Sequence, residues 1–199
     1  MSNVLSASQL TCFHDHGYLL IRNPVDAEEF GTHRETAIAD NALDDHSISM
    51  NDDEGGDVRL ALWDHPGDST YGLLARSERI VDAMEQLLGG NIYHYPLPLK
   101  VVRVEKILER MPLTYVEMQP GDGLMFQCNT LHRSDANGSD SPRWSMIYCY
   151  NAACNDSYID SHQPRYTPLH KVPDTALKEA GRQPAAITPA PDCSAVMLN

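Results

Sequence analysis

The chain lacks the cysteine arrangements that staple small folds or hold zinc. Its five cysteines, Cys12, Cys128, Cys149, Cys154 and Cys193, are odd in number and include no Cys-x-x-Cys pair. Neither a disulfide framework nor a structural zinc site is signalled, and a reduced, cytoplasmic setting is expected. No apolar run is long enough to cross a bilayer, and no basic stretch followed by an apolar one opens the sequence. Neither export nor membrane insertion is expected. Positive charge is scarce: 15 Lys plus Arg face 28 Asp plus Glu, a formal net charge of −13. Such a surface repels phosphate backbones and anionic lipid, so no nucleic-acid or membrane partner is expected, and an anionic ligand must be held locally.

What remains is ordinary for a folded chain. With 199 residues, 42% hydrophobic and 22% charged, there is enough for one domain with a core. The expected domain runs over residues 1–183, and 184–199 reads as a flexible tail. Ser6-x-x-Gln9 is a capping box before Leu10 and Phe13, and Gly17 can close that helix ahead of a strand at Tyr18-Leu19-Leu20-Ile21. Asp26-x-x-Glu29 opens a second helix reaching Asn41. An acidic loop from Asp44 to Asp57 precedes an alternating strand from Val58 to Trp63. Ser77 caps an amphipathic helix with Ile80, Val81, Met84, Leu87 and Leu88 on one face, ended by Gly89-Gly90. Ile92 to Tyr95 resumes β character until Pro96 and Pro98. A short helix is expected at Val101 to Arg110, then strands at Leu113 to Met118, Gly123 to Cys128 and Trp144 to Tyr150. Pro120-Gly121-Asp122-Gly123 forms the turn between the first two. Beyond Ala152 the chain is polar and proline-rich, with one more helix from Pro173 to Ala180.

Three blocks carry the chemistry: Gln119-Pro120-Gly121-Asp122, Leu131-His132-Arg133-Ser134-Asp135, and Pro142-Arg143-Trp144-Ser145. His132 follows an apolar strand and precedes a polar loop, as a ligand on a barrel rim would, although an ordinary loop histidine has the same surroundings. On a strand, Arg143 and Ser145 share a face. A planar guanidinium grips a carboxylate bidentately and a neighbouring hydroxyl adds a hydrogen bond. The competing reading of Arg143 is a surface ion pair, since acids are plentiful. An inward Arg143 without an anion would leave a buried charge unpaired, at a cost of order 3–5 kcal/mol. Asp135, three residues past His132 in extended chain, faces the other way. Cys149 and Cys154 read as small core residues and His14 and His16 as solvated ones.

These blocks resemble the C-terminal end of the phytanoyl-CoA dioxygenase family. The similarity extends to Phe13-His14-Asp15-His16-Gly17-Tyr18-Leu19-Leu20-Ile21-Arg22, the Leu62-Trp63 neighbourhood, the Ser77 helix, Gly89 to Tyr95, and Val102 through Ala153. The resemblance implies a mainly β fold with flanking helices, a double-stranded β-helix (jelly roll, cupin-like) that is only partial here. It also implies Fe(II) and 2-oxoglutarate as cofactors, and a small-molecule substrate if the protein is active. By that resemblance His132 is an iron histidine, Arg143 holds the 2-oxoglutarate carboxylate and Ser145 assists it.

The family's other ligand pair, His-x-Asp or His-x-Glu, has no clear counterpart. Of nine histidines only His33 has an acid two places on, Glu35, and on a helix those two side chains point to different faces. Between Tyr95 and Val102, where the family carries several strands and that pair, this chain has six residues. A splice form, a mis-joined gene model and a natural pseudoenzyme would each leave this internal deletion. The losses predict impaired activity, an uncovered apolar face and self-association through exposed sheet edges. A non-catalytic protein that binds a small carboxylate or a partner is the alternative, and a site assembled differently, from His94 with His132 and a carboxylate of the acidic loop, is the third reading.

Overall fold

The computed structural model describes residues 5–40, 48–51, 57–60, 66–95, 111–134, 137–155 and 169–184. Helix α1 (Ala7–His16) starts where Ser6 accepts from the Gln9 amide and Gln9 answers to the Ser6 amide; Gly17 ends it at φ 78°, a left-handed turn that glycine adopts without steric cost. Strand β1 (Tyr18–Ile21) follows directly. Asp26 and Glu29 form the second capping box, opening α2 (Ala27–Ala39). Strands β2 (Ile48–Asn51) and β3 (Asp57–Leu60) pair antiparallel, so part of the stretch expected as acidic loop is a strand. Helix α3 (Thr70–Arg76) is capped by Ser69 and α4 (Glu78–Leu88) ends at a left-handed Gly89. Ser77 stands before α4 but makes no side-chain cap; its hydroxyl donates to the Leu74 carbonyl. Strand β4 (Ile92–His94) pairs antiparallel with β6 (Tyr150–Ala152), and β1 with β5 (Gly123–Phe126). A short α5 (Ala176–Ala180) comes last.

Alternation on β1 sends Leu19 and Ile21 to one side, where they join Leu5, Leu10, Phe13, Ala83, Met84, Leu87 and Met125 in a core shared by α1, α4 and the β1–β5 ribbon. The same alternation leaves Tyr18, Leu20 and Arg22 on the opposite side. Strands β4 and β6 sit near α4 and contribute buried Ile92, Tyr93 and Ala152. Two tyrosines anchor the approach to β6: the Tyr150 hydroxyl donates to the Ala75 carbonyl at 2.7 Å and that of Tyr148 to the Tyr71 carbonyl at 3.1 Å. Burial pushes both phenols well above their ordinary range. Tyr150→Phe is expected to destabilise by about 1–2 kcal/mol by stranding a carbonyl, read as a lower urea midpoint at unchanged slope.

The segment 169–184 is a strap across three helices. Val172 bridges in parallel to Ser77, Gln183 exchanges hydrogen bonds with Thr70, and Leu177 is buried. Lys171 sits between Asp82 (2.7 Å) and Glu85 (2.6 Å), and Lys178 pairs with Asp26 and Glu28 at the start of α2. These are largely exposed pairs whose net contribution is small; buried Leu177 carries more of the docking.

The expectation of a mainly β molecule is corrected. Among the described residues helices predominate, and the strands form three separate two-stranded ribbons with no closed barrel. Leu113 to Met118 carries no strand, and of Trp144 to Tyr150 only Tyr150 is in one. Strand residues need a ladder partner to satisfy the backbone, and among the described residues that neighbourhood supplies only the Tyr95 amide, bonded to the Cys149 carbonyl at 2.9 Å. The expected helix at Val101 to Arg110 and residues 185–199 of the expected tail lie outside the described residues.

Candidate functional site

The β1–β5 ribbon has a helix-covered face and an opposite one, and the candidate site is on the opposite one. Cross-strand register puts Tyr18 against Phe126 and Leu20 against Leu124, so these four side chains share that face. With Arg22 on one side and the chain at Tyr115, Val116 and Glu117 on the other, Tyr18 and Leu20 line an open groove of about 360 Å³. Arg22 closes one end, donating to Asp122 Oδ2 at 2.5 Å and to the Glu117 carbonyl at 3.1 Å.

The Pro120-Gly121-Asp122-Gly123 turn is built to hold that end. Asp122 accepts from the amides of Gln119 (2.8 Å) and Asn23 (3.1 Å) as well as from Arg22. The Gln119 amide, then the Arg22 guanidinium, hold its carboxyl below the usual range. Gly121 sits at φ 91°, and a Cβ there would meet the Val25 carbonyl at 2.5 Å, so only glycine lets the turn close against the chain leaving β1. The aspartate of this turn is thus occupied with backbone amides and one arginine.

His132 sits on the groove face, at the Tyr18 end. Its ring packs on Phe126 with centroids 4.6 Å apart, and its Nδ1 lies 2.8 Å from the Thr130 carbonyl. A carbonyl only accepts, so Nδ1 carries a proton, and in the neutral ring Nε2 is then the lone-pair atom. The side chain is exposed.

Arg143 and Ser145 are also exposed, on the 142–149 stretch that forms no strand. The same-face argument for them therefore lacks its strand, and Arg143 is not the buried charge that an inward strand residue would be. Of the readings above, His33 and Glu35 do diverge: the His33 ring lies 5.6 Å from Tyr71, whereas Glu35 is exposed and reaches Arg182. His94 pairs across the β4–β6 ribbon with Tyr150. His14 and His16 are exposed on α1. Cys149 is half-buried, and burial, then the nearby Cys128, raises its thiol; Cys154 is exposed rather than in the core. Asp135 lies outside the described residues. Among the described residues no three His, Cys, Asp or Glu side chains gather where they could hold a metal ion, and no helix is long and apolar enough to cross a membrane.

The comparison with known protein families gives a dioxygenase match. The family is phytanoyl-CoA dioxygenase (PhyH), and its model covers residues 99–145, just under a quarter of the chain, with His132, Arg143 and Ser145 all inside. No curated protein matches the chain. Sequence reasoning missed Tyr18, Leu20, Arg22 and Tyr115 as groove residues. For Tyr18, Leu20 and Arg22 the signal was the period-two pattern of β1, which separates Leu19 and Ile21 from them but does not say which side faces the helices; Tyr115 had none.

Proposed function

We propose that this chain is a phytanoyl-CoA dioxygenase-type protein, related to the Fe(II)- and 2-oxoglutarate-dependent hydroxylases, that keeps the co-substrate end of the site without a complete iron centre. The observation that carries this reading is the family match over 99–145, which holds His132, Arg143 and Ser145 but no His-x-Asp or His-x-Glu pair. A mononuclear iron of this class needs two imidazoles and a carboxylate on one face. A lone, exposed His132 does not meet that requirement among the described residues, so no catalytic step is assigned to iron here. Arg143 would grip a carboxylate of 2-oxoglutarate and Ser145 would add one hydrogen bond.

The ribbon with helices on one side and His132 on the other fits one sheet of a partial double-stranded β-helix. The docking of the strap as far as Gln183 fits a single domain over 1–183. The unpaired cysteine pattern suits a reducing, cytoplasmic setting.

Calorimetric titration of the metal-free protein with 2-oxoglutarate tests the reading. Arg143→Ala is expected to weaken binding about 10- to 100-fold, the worth of a charge-assisted pair, Ser145→Ala by less, and His132→Ala not at all. Equal affinity for wild type and Arg143→Ala contradicts it.

A second reading, an interaction protein, is favoured by one observation. Tyr115 (72% exposed), Leu131, Trp144 and Ile147 are large apolar side chains left exposed in or just after the matched segment. Self-association through these side chains would show as a concentration-dependent sedimentation coefficient, with Tyr115→Ser plus Trp144→Ser shifting the population to monomer. A monomer at all concentrations rules it out.

A further inference from the structure

The geometry points to Thr130 as the residue that positions His132, clamping its ring to the end of α1. An exposed histidine ordinarily rotates and exchanges tautomers, but here two contacts meet on it and the residue making one of them is itself held. Phe126 supports the ring from β5. The Thr130 carbonyl takes the Nδ1 proton at 2.8 Å. Thr130 is itself fixed twice: its amide donates to the Gln127 carbonyl at 2.9 Å, and its hydroxyl donates to the Gly17 carbonyl at 3.0 Å. The Gln127 amide reaches the same Gly17 carbonyl at 2.9 Å, so the cap of α1 holds the 127–130 turn at two points.

Gly17 is needed for more than its left-handed φ of 78°. A Cβ there would stand 2.8 Å from the Thr130 hydroxyl oxygen, too close without displacing it. The chain of contacts therefore runs from the α1 cap through Thr130 to the imidazole, and its result is a histidine locked as the Nδ1–H tautomer. Nε2 is left as the lone-pair atom of the neutral ring. Outer hydrogen bonds of this kind set tautomer and ring direction wherever a histidine serves as ligand or base.

The functional weight of this device rests on the reading of His132 as a retained site residue, but the device is measurable without any ligand. Long-range proton–nitrogen correlation on histidine-labelled protein, at a pH where imidazoles are neutral, reads the tautomer directly; His132→Gln assigns the signal. Wild type and Thr130→Ser are expected to show Nδ1–H at His132. Thr130→Val, which keeps the shape and removes the donor, is expected to shift His132 to a mixture containing Nε2–H. Gly17→Ala is expected to do the same by pushing Thr130 away. A wild-type His132 that is already averaged or Nε2–H, or a folded Thr130→Val protein with the wild-type pattern, overturns the inference. Failure of 2-oxoglutarate to bind would instead sink the reading of the site and leave these spectra unchanged.

Discussion

Arg79→Ala is expected to remove about 3–5 kcal/mol of stability, the cost of stranding a buried carboxylate. Glu29 is only 2% exposed. One of its oxygens takes the Asp26 amide at 3.0 Å, completing the α2 capping box, and the other takes the Arg79 guanidinium at 2.8 Å. Arg79 also engages Asp174 of the strap, its amide donating to Asp174 Oδ1 at 2.9 Å, so one arginine joins α2, α4 and the segment before α5. Removing it leaves Glu29 with a desolvated charge and a single donor. A double-mutant cycle with Glu29→Met and Arg79→Met, followed by urea unfolding, separates the effects. The double variant is expected to recover more than half of the loss, because an apolar pair carries no desolvation penalty. A loss below about 1 kcal/mol for Arg79→Ala would put this pair among the surface bridges.

His33 is expected to make the fold acid-sensitive between pH 6.5 and about 4. Its ring lies against Tyr71, itself pushed up to about 12 by burial and then by Asp40, and its Nε2 is buried without a hydrogen-bond partner. Burial lowers its pKa from 6.5 to about 4. In the unfolded chain the imidazole protonates near 6.5, so below that pH the unfolded state binds a proton that the folded state refuses. Stability is then full above pH 6.5 and falls as pH drops toward 4, by up to about 3 kcal/mol. In His33→Phe the stability lost between pH 7.5 and 4.5 should shrink by most of that amount. Parallel pH profiles for the two proteins would show that His33 protonates without cost to the fold.

The parts of this structure that could be read in the sequence are those whose cause is local. Both capping boxes, the glycine caps at 17 and 89 and the β1 alternation involve residues within four positions of one another. Helix α3 has no clear local signal because Gly72 lowers its helix propensity, and the reason for that glycine is non-local: a Cβ would run into the Gly67 carbonyl oxygen, across the loop before the helix. The strands expected at Leu113 to Met118 and Trp144 to Tyr150 had the right composition, but composition does not supply ladder partners. Ser77 looked like a cap and instead turned its hydroxyl back to Leu74. Around His132 and Arg143 the sequence shows which residues stand in one block but not which way they point. Nothing near His132 in sequence discloses that the α1 cap sets the turn preceding it, and the exposure of Arg143 follows from a strand that does not form.

The most direct test of the central claim, a retained half-site without a complete iron centre, is an anaerobic Fe(II) titration in the presence of 2-oxoglutarate, following the metal-to-ligand charge-transfer band. No saturable band is expected, with 2-oxoglutarate binding that depends on Arg143 and is indifferent to added metal. A saturable band that disappears in both His132→Ala and Arg143→Ala would mean a complete iron centre, with ligands besides His132.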